Sequence, residues 1–175
     1  MENPIANFEY VDFSKISVTE RYKLMIGTIV PRPIAWVSTI GLDGTTNLAP
    51  FSFFNGVCSN PPTIVFCPVN HPDGSEKDTL RNIRTTKEFV VNFVSRDLCE
   101  LMNSTAAELA PNESEFEKFQ IEKLASSQVN PPRVALAKAS FECKLLQIVD
   151  VGDGTAGSGH VVIGQILCAH YESSA

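Results

Sequence analysis

The chain has 175 residues, 43% of them hydrophobic, enough for one sizeable core and too few for two comfortable domains, so residues 1–175 read as a single domain. Acidic residues outnumber basic ones by 20 to 14, and the net charge of -6 disfavours a protein that grips phosphate backbones, so no nucleic-acid partner is expected. No run approaches the ~18 apolar residues of a membrane-spanning helix, and Met1 to Tyr10 lack the basic start and apolar centre of a signal peptide, which points to a cytoplasmic protein with no membrane partner.

Ser17-Val-Thr-Glu20 has the form of a capping box and predicts a helix over 18–26, ended by Gly27. Ile34 to Ile40 is rich in β-branched and aromatic residues, and the Asp43-Gly44 turn signal links it to a second extended run, Thr45 to Leu48, as a hairpin. Pro50 lacks a ladder donor, so Phe51 to Asn55 is expected to begin a new irregular or edge segment. Thr63 to Cys67 reads as a buried strand and Asn70 to Lys77 as a loop. A helix then starts at Asp78 and Thr79, with Leu80 and Ile83 at helical spacing.

Glu88 to Val94 reads as a strand, and Arg96 to Ala110 as a helix stopped by Pro111. The polar stretch from Asn112 to Arg133 predicts a short helix around Phe116 and an otherwise superficial course. Strands over Ser140–Val151 and His160–Tyr171 close the chain, joined by a glycine-rich linker expected to be flexible. Six or so strands, a few short helices and no regular β-α-β alternation favour a mainly β, antiparallel barrel over a Rossmann sheet.

The five cysteines, Cys58, Cys67, Cys99, Cys143 and Cys168, contain no C-x-x-C pair and read as reduced thiols in or near the core. His71, His160 and His170 lack the i, i+4 spacing of a helical metal site, so no metal is expected.

Three segments carry chemistry. Pro31 to Thr39 is a proline-stiffened entry that delivers Arg32 and then a strand ending in two hydroxyls; it is either an ordinary core strand or a strand edge against a planar heteroaromatic ring. Asn47 to Asn55 interleaves Phe51, Phe53 and Phe54 with Ser52 and Asn55, and three phenylalanines so close cannot share one face of a strand. They line a pocket or subunit interface, or they form a tight core turn. Ser75 to Asn82 places Lys77 at a helix N-terminus, where unpaired N–H groups favour an anion such as a terminal phosphate. The competing reading is that Asp78 or Thr79 caps the helix while Lys77 is solvated.

Taken in order, P-R-P-I-A-W-V-S-T, N-L-A-P-F-S-F-F-N, N-P-P (Asn60 to Pro62) and K-D-T-L-R-N resemble the flavin reductase-like family of FMN-binding split barrels. The resemblance runs from Tyr22 to Tyr171 and includes Gly159-His160 followed by the strand Val161 to Ile166. It implies a homodimer with FMN near the subunit interface. Arg32, Pro33, Ile34, Ala35, Trp36, Val37, Ser38 and Thr39, with Ser52, Phe53, Phe54 and Asn55, would line the ring and ribityl chain. Lys77, Asp78 and Thr79 would take the phosphate, and His160 would lie near the flavin or the nicotinamide.

Such a site stacks NADH or NADPH on the flavin for hydride transfer to its N5 atom, so no side chain need act as a nucleophile. The implied function is an NAD(P)H-dependent flavin reductase that supplies reduced flavin or electrons to a partner, such as a monooxygenase. The alternatives are a non-enzymatic FMN electron carrier, or a barrel whose decayed flavin site binds protein. The sequence ends at Ala175 directly after a strand, whereas similar proteins carry a further segment that covers the active site. The barrel is expected to stand without it, while cover over the flavin and the choice between NADH and NADPH do not follow from the sequence.

Overall fold

Strand β1 (Ala35–Ile40) buries both of its faces, which is why its sequence shows no polar alternation. This is seen in a computed structural model of the chain, which describes residues 8–110 and 113–173. Ala35 and Val37 enter one hydrophobic cluster with Phe66, Phe89 and Val91, whereas Trp36 enters a second with Leu48, Leu98, Phe116, Ile121 and Val134. Strand β2 (Thr46–Phe51) pairs with β1 across the expected turn, where Gly44 adopts φ +86°.

Strands β3 (Phe54–Ser59), β4 (Pro62–Phe66), β5 (Glu88–Phe93), β8 (Ala139–Val151) and β9 (Gly159–Tyr171) complete a seven-stranded antiparallel sheet. Its order is β2-β1-β5-β8-β9-β4-β3, and the two-residue strands β6 (Lys123–Leu124) and β7 (Arg133–Val134) form a separate pair. β2 and β3 stand at opposite ends of the large sheet, yet only Ser52 and Phe53 separate them in the chain. The sheet therefore curls until its outer strands approach at that corner, giving the expected mainly β split barrel with short helices.

Helix α2 (Asp78–Thr86) turns Thr79, Leu80 and Ile83 inward, and Leu80 and Ile83 join the first cluster.

By its contacts the chain forms two compact units, residues 1–31 and 32–175. In the first, α1 (Val18–Thr28) has the predicted capping box: Glu20 N–H donates to Ser17 Oγ at 3.2 Å, and Ser17 N–H to Glu20 Oε2 at 2.8 Å. Gly27 does not end this helix. Glycine weakens a helix by about 1 kcal/mol relative to alanine without breaking it, and Ile29 N–H still reaches Met25 O at 2.9 Å.

Several expectations are corrected by tertiary contacts. Pro50 continues β2 and stands opposite Trp36; β2 is an outer strand, so the missing N–H costs no ladder bond. The helix expected over 96–110 becomes a 3-10 turn, Arg96–Leu98, and a short α3 (Cys99–Ser104). It stops because buried Thr105 donates its hydroxyl to Met102 O at 2.7 Å and accepts the Trp36 indole N–H at 2.8 Å. Pro111, its expected stop, lies outside the described residues. Helix α4 (Glu115–Lys118) matches the expectation around Phe116, but the surrounding stretch is not superficial: Phe116, Ile121 and Val129 are buried.

Two carboxylates on the sheet hold that stretch down. Glu142 accepts the N–H groups of Ser127 and Gln128 at 2.7 and 2.6 Å, and Glu88 accepts that of Asn130 at 2.9 Å. The five thiols are free, with Cys58 and Cys99 exposed rather than in the core, on the outer strand β3 and at the start of α3. The glycine-rich linker is a hydrogen-bonded turn, with the Asp153 carboxylate accepting from Thr155 N–H at 3.1 Å and from the Thr155 and Ser158 hydroxyls at 2.6 and 3.2 Å.

Candidate functional site

The segment Lys77 to Thr79 begins α2 with Lys77 at the N-cap, where its carbonyl accepts the Leu80 and Arg81 N–H groups. The N–H groups of Asp78 and Thr79 stand ahead of the first intrahelical donor and have no acceptor within the helix. Thr79 is buried, and its Oγ1 accepts from Asn47 Nδ2 at 2.8 Å, which fixes the rotamer and leaves the hydroxyl proton to donate. The Asp78 carboxylate is ion-paired with Arg81, so residue 78 offers an anion its backbone rather than its charge. One turn further on, Asn82 Nδ2 donates to Thr39 Oγ1 at 3.0 Å. Asn47 and Asn82 thereby tie the start of α2 to the ends of β2 and β1.

The arrangement around β1 differs from a simple ligand edge. β1 is an inner strand, with Ala35 to Ser38 paired to β2 on one side and β5 on the other. The side chains of Ala35, Trp36 and Val37 are core, and Ser38 Oγ donates to Pro132 O at 2.5 Å while accepting from Asn92 Nδ2 at 3.3 Å. Arg32, Pro33 and Ile34 precede the strand as half-buried or exposed residues, and Thr39 leads toward α2. Of the hairpin segment, Ser52 and Phe53 form the corner where the outer strands approach. Phe54 packs on Phe93, ring centroids 6.2 Å apart, and Asn55 is exposed on β3.

His160 is buried at the start of β9, with both ring nitrogens against acceptor atoms: Nδ1 lies 2.7 Å from Asp150 Oδ1 and Nε2 lies 2.8 Å from Asn70 Oδ1. Asn70 Nδ2 donates to Gly154 O at 3.1 Å, which fixes its oxygen toward the ring. Arg84 of α2 completes the group, donating to Asp150 at 2.6 Å and to Glu76 at 3.1 Å. Hydrogen bonds from His160, then from Arg84, hold the Asp150 carboxyl below its ordinary value. The residue that was expected near the flavin or nicotinamide is thus bonded into the joint between the loop at Asn70, α2 and the β8–β9 hairpin.

Two clefts lie elsewhere. One of ≈ 240 Å³ is walled by Arg84, Asp150, His160 and the glycine turns, and one of ≈ 580 Å³ by Thr45, Thr46, Ser114 and Lys118. Neither is lined by Lys77 to Thr79 or by Ser52 to Asn55. What the start of α2 offers is hydrogen-bonding geometry: the Asp78 and Thr79 N–H groups and the Thr79 hydroxyl proton.

Sequence reasoning missed Glu115, whose Oε2 accepts the Leu48 N–H at 2.8 Å next to Asn47. A glutamate at the start of a short helix gives no signal of burial by itself. Burial pushes its carboxyl above the usual range, opposed by the Leu48 bond and reinforced by Asp78. A raised folded-state pKa contributes stability that is present below the unfolded value and is lost as pH rises through the folded one. Glu115→Gln, which keeps an acceptor for Leu48, is expected to raise the urea midpoint at neutral pH and leave it unchanged in acid. An equal midpoint at neutral pH would refute that cost of the buried charge.

The flavin reductase like domain family matches residues 26–174, a span that takes in the start of α2, the Ser52–Phe53 corner and the His160 joint. The chain belongs to this family. An uncharacterised protein of Aquifex aeolicus is 46% identical over 153 residues, 87% of this chain and 76% of its own length. Among solved structures, nitrilotriacetate monooxygenase component B from Bacillus cereus superposes with a TM-score of 0.91 at 32% identity, covering 97% of this chain and 84% of that one. The 2-nitrobenzoate 2-nitroreductase NbaA of Pseudomonas fluorescens superposes with a TM-score of 0.83 at 31% identity, covering 95% and 78%. Flavin-linked oxidoreduction is the chemistry that this family membership carries. Among the described residues no helix is long and apolar enough to cross a membrane.

Proposed function

We propose that the protein is a cytoplasmic NAD(P)H-dependent flavin reductase that holds FMN as a homodimer and delivers reduced flavin or electrons to a partner protein. The observation that supports this most is the start of α2, where the Asp78 and Thr79 N–H groups, the Thr79 hydroxyl and the Lys77 ammonium make a donor set suited to a terminal phosphate. Arg32 to Thr39 with Ser52 to Asn55 would border the ring and ribityl chain. Arg32 to Ile34 and the Ser52–Phe53 corner offer surface, while the buried side chains of Ala35 to Thr39 keep that border rigid from behind. The flavin, when bound, supplies a two-electron acceptor for the hydride of NADH or NADPH.

The protein's own work is to bind, orient and exclude water. Dimerisation would add a second wall to an open face: β3 presents an exposed outer strand and Asn55 lies on it. His160 has its ring nitrogens engaged, so it serves by holding Asn70 and the β8–β9 hairpin in place beside the site. A partner monooxygenase is suggested by the Bacillus cereus structure, which is a component B of such an enzyme.

The test is a visible spectrum of the purified protein saturated with FMN, desalted, then mixed anaerobically with NADH or NADPH. Retained yellow colour that bleaches rapidly supports the reductase. Colour that persists points to an electron carrier, and no flavin bound before desalting overturns the proposal. Lys77→Ala is expected to weaken FMN binding by about 1–3 kcal/mol, the worth of one charge-assisted bond, read by quenching of flavin fluorescence. An unchanged Kd would return Lys77 to the solvated surface.

A further inference from the structure

We propose that Glu142, Cys168 and His170 form a three-ligand site for a divalent transition-metal ion of the zinc class, apart from the residues assigned to the flavin. The site follows from strand register. Glu142 on β8 stands opposite Cys168 on β9, and Ser140 opposite His170. Directly paired residues share a sheet face, and so do residues two apart along a strand, so these three side chains emerge on one side of the β8–β9 ribbon. Their donor atoms are gathered accordingly: His170 Nε2 lies 2.6 Å from Glu142 Oε1 and 3.8 Å from Cys168 Sγ, and all three lie within 4.8 Å of one another.

The spacing suits a tetrahedral ion. With bonds of about 2.0–2.1 Å to nitrogen and oxygen and about 2.3 Å to sulfur, neighbouring donors sit roughly 3.3–3.6 Å apart. The sulfur–nitrogen separation needs to close by a few tenths of an ångström, and the nitrogen–oxygen separation to open by roughly 0.7 Å. Both are side-chain adjustments, since His170 and Cys168 are only partly buried.

One thiolate, one imidazole and one carboxylate make a borderline-soft set that favours Zn²⁺ or Co²⁺ over Mg²⁺ or Ca²⁺ and leaves a fourth position for water. On binding, the ion replaces two protons: that on His170 Nε2, which the neutral ring carries on Nδ1 instead, and that on the Cys168 thiol, which leaves to solvent. The outer support is already in place. Glu142 is fully buried, and its carboxylate is aimed by the N–H groups of Ser127 and Gln128. A metal here would pin residues 126–130 to the barrel and stabilise the folded chain by mass action.

Cobalt is the probe. The full chain carrying Cys58→Ser and Cys99→Ser, which removes the two exposed thiols, is titrated with Co²⁺ and followed by difference spectra against the same protein without metal. A thiolate-to-cobalt charge-transfer band with intense four-coordinate ligand-field bands is expected, saturating at one ion per chain and bleached by Zn²⁺. Cys168→Ser, with circular dichroism showing that the chain is folded, should abolish the charge-transfer band. His170→Ala should weaken binding at least about tenfold. Absence of the band under millimolar Co²⁺, or a band that persists in Cys168→Ser, would overturn the proposal.

Discussion

Gly164→Ala is expected to destabilise the protein by about 3 kcal/mol, near the upper end for overpacking a core. Gly164 is buried in β9 between Ile64 of β4 and Leu145 of β8. A Cβ at this position would stand 2.3 Å from Phe89 Cζ and 2.9 Å from Phe89 Cε1, distances that require something to move. The Phe89 ring has nowhere to go, because it is fully buried and packs on Phe66 at 5.5 Å, and Phe66 packs in turn on Phe51 at 5.1 Å. The sheet cannot shift either, since Gly164 pairs on both sides.

The measurement is the urea midpoint of Gly164→Ala, of Phe89→Leu, and of the double variant. Phe89→Leu alone leaves a small cavity and should also lose stability. Combined with Gly164→Ala it should recover part of the loss, because the shortened side chain makes room for the new methyl group. Strictly additive losses would show that the clash with Phe89 is not the cause.

The second large effect is expected at Glu142, where substitution by alanine should cost about 3 kcal/mol by removing three hydrogen bonds to a charged acceptor. The loss is less than the full sum of three such bonds because Ser127, Gln128 and His170 can each turn to water. Burial by itself pushes the Glu142 carboxyl up. The N–H groups of Ser127 and Gln128, together with His170, outweigh that and hold it below the ordinary glutamate range. A lowered folded-state pKa gives stability that is present above the unfolded value and is lost as pH falls through the folded one. The wild-type urea midpoint should therefore drop through that acid window, and Glu142→Gln should lack this part of the drop. An identical acid profile in both proteins would exclude Glu142 as its source. The same experiment run without added metal keeps this structural role distinct from metal ligation.

Local rules read much of this chain correctly. The Ser17–Glu20 capping box, the Asp43–Gly44 hairpin, the start of α2 at Asp78 and the two long closing strands all depend on residues within a few positions of one another, where sequence spacing is spatial spacing. The ordered motifs from Pro31 to Asn82 carried the family as well, because they combine turns, a strand and a helix start at set intervals.

What remained illegible depends on partners far away in the chain. Pro50 looks like a strand breaker until β2 is known to be an outer strand. The helix after Arg96 is cut short by an indole 69 residues earlier, through the Trp36–Thr105 bond. The stretch before Arg133 looks superficial until Glu88 and Glu142 are seen to hold its backbone. Helical and C-x-x-C spacings do not reveal the cluster of Glu142, Cys168 and His170, because a strand pair gathers Cys168 and His170, two residues apart, with Glu142 of the opposing strand.

By itself, then, the sequence determined the class of the fold, the local turns and caps, and the family. Only the tertiary structure decided which of the expected flavin-lining side chains are core, that His160 is buried between Asp150 and Asn70, and that Glu142, Cys168 and His170 meet. The physical reason is that hydrogen-bond and side-chain patterns within one turn or hairpin are set by covalent spacing, whereas burial and cross-strand register are set by how the sheet curls and what packs against it.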